Sequence, residues 1–170
     1  MDNPEQQGNS QVGKGMIFVA ALLALGVLTM LFDQAIKKDQ GSIETHTGID
    51  FIEVTLKANR QGHYIAKGEI NGHSVDFLID TGATSIAIPE ALAEKIGLRK
   101  GMAVDVNTAN GVGKAWLTNL EVVRLGPIQM YDVKAGISAG LQGDVLLGMT
   151  FLKHLSMQQD GNRLVLRQRQ

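Results

Sequence analysis

Hydrophobic positions fall along this chain in two regimes. From Met16 to Phe32 they are nearly continuous and no side chain is charged, with Lys14 before the run and Asp33 after it. At ~1.5 Å of rise per residue, a helix of this length comes close to spanning a ~30 Å hydrocarbon core. The run therefore predicts one transmembrane helix over residues 16–32, at the short end of such helices. It is apolar on every side, unlike a helix laid on a globular core. No small-x-small pattern follows Phe32 to mark a cleaved leader. Residues 1–15, rich in Gln, Asn and Gly, predict a polar tail with too little apolar surface to fold. Residues 33–50, with Gly41, Ser42, Thr45, Thr47 and Gly48, predict a linker or stalk. Lys14 and the amino terminus face Lys37 and Lys38 across the run, so charge does not assign its orientation.

From Phe51 onward the pattern is short alternation broken by turn residues, and residues 51–170 predict one folded domain. Phe51 to Leu56 reads as a strand, as do Tyr64 to Ile70 and Ser74 to Ile79. Asn71-Gly72 between the last two is the signal for a tight type I′ hairpin, whose second arm ends at Asp80. A short strand follows, then Pro89 opens a short helix with Leu92 and Ile96 on one face and Gly97 to stop it. Val104 to Leu117 gives two alternating arms around a tip loaded with Asn and Gly, the pattern of a mobile hairpin. Leu120 to Leu125 and Ile128 to Val133 flank the Gly126-Pro127 turn. Val145 to Met149 is an apolar strand ending at a glycine, with a helical stretch from Thr150 to Leu155. Ser156 to Gln159 and Leu164 to Arg167 flank Asp160-Gly161. The expected fold class is all-β with one or two short helices.

Composition narrows the chemistry. The net charge is −1 and the 16 basic residues form no long run, so no nucleic-acid partner is expected. The absence of cysteine removes disulfides, thiolate nucleophiles and cysteine metal sites. His46, His63, His73 and His154 show no ligand spacing, so no metal and no other cofactor is expected. Twenty glycines in 170 residues agree with a body of many turns.

The candidate chemistry lies where Phe77-Leu78-Ile79 runs into Asp80-Thr81-Gly82-Ala83. A carboxylate at the end of an apolar strand is costly to desolvate unless something nearby uses its charge. Asp-Thr-Gly is also an ordinary turn sequence, since Asp and Thr bond their own backbone and Gly accepts positive φ. Its context decides: Asn107, Thr108, Ala109, Asn110, Gly111, Val112, Gly113 and Lys114 follow as a glycine-rich tip, and Leu146-Leu147-Gly148 stands before the last helix.

These three elements, in this order, resemble the retropepsin-like aspartic proteases, and in particular their small, membrane-tethered bacterial branch. The resemblance covers residues 51–170. It implies a single closed β-barrel, a catalytic Asp80 supported by Thr81, Gly82 and Ala83, a flap over residues 107–113 that closes on substrate, and Leu146, Leu147 and Gly148 crossing beneath the catalytic loop. Peptide hydrolysis without a metal or covalent nucleophile needs one carboxylate to take a proton from water and a second carboxylic acid to protonate the scissile carbonyl. This chain has one Asp-Thr-Gly; Asp144 and Asp160 lack the following Thr/Ser-Gly. The resemblance implies that two copies meet on a two-fold axis, each contributing Asp80, and act on a protein or peptide substrate. It also implies a bacterial inner membrane with the protease domain on the periplasmic side. Met149 stands where viral members carry an arginine, and Thr84 where they carry an acid, so viral interface details do not transfer. The alternative function is a dimerising peptide-binding module that keeps the fold without catalysis. Trp116 is expected to pack at the core or hairpin base. The arm Leu164-Val165-Leu166 is expected either to pair with a partner chain or to form an edge strand.

Overall fold

The computed structural model describes residues 19–30, 43–48, 50–108 and 111–169. Two units are described separately, one within residues 1–39 and one within 40–170. In the first, residues 19–30 form helix α1, and every one of them is exposed. Among the described residues no helix is long and apolar enough to cross a membrane. The ends of the predicted span, 16–18 and 31–32, lie outside the described residues, as do the tail 1–15 and residues 33–42 of the predicted linker.

The second unit is mostly β. Its strands are β1 (Ile43–Thr47), β2 (Phe51–Lys57), β3 (Ile65–Ile70), β4 (His73–Ile79), β5 (Ile86–Pro89), β6 (Ala103–Thr108), β7 (Gly111–Leu125), β8 (Ile128–Ser138), β9 (Val145–Leu147), β10 (Ser156–Asp160) and β11 (Arg163–Arg169). Two short helices interrupt them, α2 (Glu90–Lys95) and α3 (Met149–Leu152). One sheet runs β3-β4-β9-β5-β8-β7-β6, and a further pairing of β3 with β7 joins its ends into a closed ring that leaves β6 outside. The seam is short, Glu69 opposite Arg124 and Ile70 opposite Val123. Gly68 makes it possible: a Cβ there would lie 2.3 Å from the Arg124 carbonyl oxygen and 2.5 Å from the Phe77 ring. The other sheet runs β1-β2-β11-β10.

The barrel interior takes Phe77, Ile86, Ile88, Leu120, Ile137, Leu147 and Phe151, all fully buried. Each such side chain contributes about 1.5–3 kcal/mol by leaving water. The β3–β4 turn is as the Asn-Gly pair requires, with φ of 50° at Asn71 and 81° at Gly72.

Four elements differ from the pattern-based expectation. Residues 43–47, read as stalk, are strand β1 on the free side of β2, so the folded unit begins before residue 51. Only Ile43 of β1 is even half-buried, so no alternation announced it. The two strands expected around Trp116 and Leu120 are one strand, β7, paired continuously with β8 except at Glu121 and Asp132. There Asp132 takes φ of 54° and its carboxylate receives a hydrogen bond from the Asn119 side-chain Nδ2, and the buried face of both strands switches sides. A switch of face in mid-strand breaks the period-2 pattern that sequence reading depends on. The last helix is shorter than expected, ending at Leu152. The arm Leu164–Leu166 is neither an edge strand nor open to a partner, because β11 lies between β2 and β10.

Candidate active site

Strand β4 delivers Asp80 because it is held on both sides. On one side β3 pairs with it through the Asn71-Gly72 turn. On the other, β9 runs parallel to it, with Phe77 opposite Val145, Leu78 opposite Leu146 and Ile79 opposite Leu147. The Asp80 amide donates to the Leu147 carbonyl at 3.2 Å, and the chain then leaves the sheet. The Gly82 amide donates to Asp80 Oδ1 at 2.8 Å, and the Ala83 amide to the Asp80 carbonyl at 3.3 Å. These bonds close the turn and fix one carboxylate oxygen. Asp80 is half-buried, Ala83 likewise, while Thr81 and Gly82 are exposed.

Residues 147–150 hold this turn from beneath. The Met149 amide donates to the Ala83 carbonyl at 2.8 Å, and the Ile86 amide to Thr150 Oγ1 at 3.1 Å. Between them Gly148 lies so close that a Cβ would sit 2.3 Å from the Ser85 carbonyl oxygen and 2.7 Å from that of Ala83. No side chain other than hydrogen fits there without moving backbone. The structure thus brings Leu146, Leu147 and Gly148 together with Asp80, Thr81, Gly82 and Ala83. Sequence reading missed Thr150, whose hydroxyl satisfies a buried strand amide; only its place at the start of a helix was legible.

The hairpin expected over residues 107–113 is formed by β6 and β7, with Asn107 opposite Val112 and Thr108 opposite Gly111. Ala109 and Asn110, its expected tip, lie outside the described residues. Thr108 Oγ1 donates to the Gly111 carbonyl at 2.8 Å, and Val112 is 75% exposed. Hydrogen bonds tie the Asp80 turn and the strand after it to residues 147–150. At the hairpin's base Trp116, opposite Ala103, is half-buried against the core. Lys100 Nζ stands 4.7 Å from the centre of its ring and reaches Glu90 at 2.5 Å and Glu94 at 3.1 Å. These two carboxylates raise the Lys100 pKa above its ordinary value. One ammonium therefore ties α2 to the root of the hairpin.

Asp144 has a raised pKa, first because burial penalises its charge and then because Asp76 stands nearby. The parallel β4–β9 pairing explains this neighbour: Asp76 and Asp144 immediately precede the paired residues Phe77 and Val145. Asp76 lies at the middle of β4, four residues before Asp80, and Asp144 just before β9 begins. Nothing in the sequence spacing signals a contact made by a parallel crossover.

Two surface grooves lie elsewhere. One, of about 540 Å³, is lined by Tyr131, Lys134, Thr150, Lys153, His154 and Gln168 among others. Another, of about 970 Å³, runs along residues 97–101 and 117–119. Neither is lined by Asp80 or residues 107–113. Among the described residues no group of three or more His, Asp or Glu side chains could hold a metal ion.

A closed barrel whose Asp-Thr-Gly turn rests on a hydrophobic-hydrophobic-Gly strand end defines the retropepsin-like aspartic protease class. The sequence agrees with the fold. Residues 66–154, just over half of the chain, match the gag-polyprotein putative aspartyl protease family, and the chain belongs to that family. The crystal structure of a retropepsin-like aspartic protease from Rickettsia conorii is similar with a TM-score of 0.59 and 26% identity, over 76% of this chain and 94% of that one. An uncharacterized protein in the cobV 5′ region of a Sinorhizobium species is 38% identical over 111 residues, 63% of this chain and 48% of that protein. The uncharacterized protein RP867 of Rickettsia prowazekii is 29% identical over 110 residues, 59% of this chain and 45% of that protein. The chain spans about half the length of these curated relatives.

Proposed function

We propose that the protein is an aspartic endopeptidase that works as a homodimer, with Asp80 of each copy supplying one carboxyl of a shared dyad. The observation that carries this reading is the Asp80 turn: a carboxylate fixed by the Gly82 amide and held over Gly148, in a member of an aspartic protease family. One carboxyl cannot both take a proton from water and give one to the carbonyl oxygen in the same step. Two carboxyls pressed together share a single proton, because like charges so close cannot both ionise. In the dimer one Asp80 activates water while the other protonates the scissile carbonyl, and the roles exchange as the amide breaks. Thr81, exposed in the single chain, braces the pair across the axis. The 107–113 hairpin closes over the peptide and excludes water.

The substrate is a protein or peptide, and no metal or cofactor takes part. Anchoring belongs to the same proposal. An apolar helix α1 with Leu22 at 66% and Leu23 at 67% exposure suits a lipid environment better than water. Residues 16–32 then form a single-pass anchor in a bacterial inner membrane, with the protease domain periplasmic.

The test is cleavage of a peptide library at mildly acid pH by the full chain in detergent micelles. Asp80→Asn should lower the rate by on the order of 10²–10⁴-fold or more without changing the melting temperature. Activity should rise faster than linearly with protein concentration. Cleavage that survives Asp80→Asn refutes the mechanism; a dimer that binds peptides and never cleaves them identifies a non-catalytic binding module instead.

A further inference from the structure

The sheet β1-β2-β11-β10 closes within one chain, because β2 and β11, far apart in sequence, already pair along seven positions. A second copy therefore has no gap between them to fill. The sheet offers only its edges, β1 and β10, and the two edges are unlike. β1 carries Glu44 and His46, and Glu44 is engaged with Arg163 at 3.6 Å. β10 reads Ser-Met-Gln-Gln-Asp, with no Lys, Arg or Pro, and all five residues are exposed. Edge strands are normally guarded by Lys, Arg or Pro; both edges lack these, and they differ in that the β1 carboxylate Glu44 is engaged within the chain whereas β10 carries the partly exposed apolar Met157.

Its side chains fit a copy of itself. The buried row Val54–Leu166 runs out to Met157, which is 38% exposed at the edge. The next inward-facing row, Leu56–Leu164, runs out to Gln159. Antiparallel pairing of two β10 strands about Gln158 sets Met157 opposite Gln159 of the second copy, so each copy's apolar row is covered. On the outer face it sets Ser156 opposite Asp160 of the second copy. Arg167 is the in-chain neighbour of Ser156 and Arg163 that of Asp160, so no like charges stand opposite each other across the junction. Gln158 faces itself on the axis.

We propose that two copies of this chain join edge to edge along β10, in an isologous antiparallel pairing centred on Gln158. This rests on the homodimeric protease reading and names the surface that completes its site. The chain favours this edge for the purpose. From Gly148, seated on the Asp80 turn, one four-residue helix and a short turn lead to Ser156, a reach of roughly 20 Å at most. β1 lies three strand spacings away from β10, about 14 Å.

The test is sedimentation of the full chain in detergent micelles over a range of concentrations. Gln158→Lys and Gln158→Glu each set like charges face to face on the axis and should weaken dimerisation by at least about tenfold. An equimolar mixture of the two should restore it, while Thr45→Lys on the opposite edge should dimerise as wild type does. The proposal is overturned if both Gln158 variants dimerise normally, if Thr45→Lys is the disruptive change, or if wild type stays monomeric throughout. Cleavage measured on the same samples separates the two claims. An active enzyme indifferent to both Gln158 changes keeps the protease and loses this interface. A β10-paired dimer that never cleaves keeps the interface and loses the protease.

Discussion

Gly148→Ala tests how tightly the candidate catalytic turn is held. The backbone at Gly148 has φ of −92°, which any residue adopts, so the whole effect of the change comes from space. The added carbon would lie 2.3 Å from the Ser85 carbonyl oxygen and 2.7 Å from the Ala83 carbonyl oxygen, both backbone atoms with no rotamer to escape into. Forcing a methyl group into a filled site costs typically 1–3 kcal/mol. The Ala83 oxygen also accepts the Met149 amide at 2.8 Å, so moving it away weakens a hydrogen bond of about 1 kcal/mol. Together these give a loss of about 2–4 kcal/mol. At ~4 °C per kcal/mol for a domain of this size, the melting temperature should fall by about 8–16 °C. Activity should fall further than stability explains, because a shift of ~1 Å at a catalytic group costs on the order of 10²-fold. Thermal unfolding followed by circular dichroism reads the first effect, and peptide cleavage well below the melting temperature reads the second. Gly136→Ala is the control: its added carbon would meet nothing nearer than Ala115 Cβ at 3.8 Å. If Gly148→Ala melts with Gly136→Ala and wild type, the close approach does not exist in solution and the support assigned to residues 147–149 is wrong.

Thr150→Val keeps the shape but removes the acceptor of the buried Ile86 amide; it should cost about 1–3 kcal/mol, read by chemical denaturation, and an unchanged midpoint would mean that amide has another partner. Asp144 holds its proton more tightly folded than unfolded, so its contribution to stability falls as pH rises above its ordinary value of 3.8 and stays low at neutral pH. Asp144→Asn should therefore melt higher than wild type at pH 7, with the advantage shrinking as pH falls toward 3.8 and absent below it; a variant less stable at pH 7 would refute the burial cause. Lys100→Met takes a cation from the face of Trp116, the only tryptophan, and should change its emission while the chain stays folded; unaltered emission would place Lys100 elsewhere in solution.

Local chemistry made some of this legible in the sequence. Asn71-Gly72 specified a turn because its positive φ values suit few other pairs, and that turn brings the chain to Asp80. Pro89 and Gly97 bracketed helix α2 for equally local reasons. What was hidden depends on partners distant in sequence. β1 has no apolar alternation and is a strand only because β2 offers a free edge. The unity of β7 is masked by the change of face at Glu121 and Asp132, where alternation fails although pairing continues. In the candidate site, the Asp80 turn and Leu146-Leu147-Gly148 stood out by composition. The hydroxyl of Thr150 and the neighbourhood of Asp76 with Asp144 exist only once β9 lies beside β4.

The pairing of β2 with β11 also sets an order of events during synthesis. Arg167 and Glu53, joined at 2.7 Å, are 114 residues apart in sequence, and the whole ladder spans similar separations. Contacts this distant bear the full entropy of closing a long loop before they return anything. While the chain is emerging from the ribosome, β2 has no β11 to receive it, and β10 has no β11 to hold it straight. The surface proposed to join two copies is therefore among the last to be made, after the Asp80 turn is already translated. On the proposed homodimeric reading, a nascent chain without β11 has no β10 edge in place to bring two Asp80 turns together.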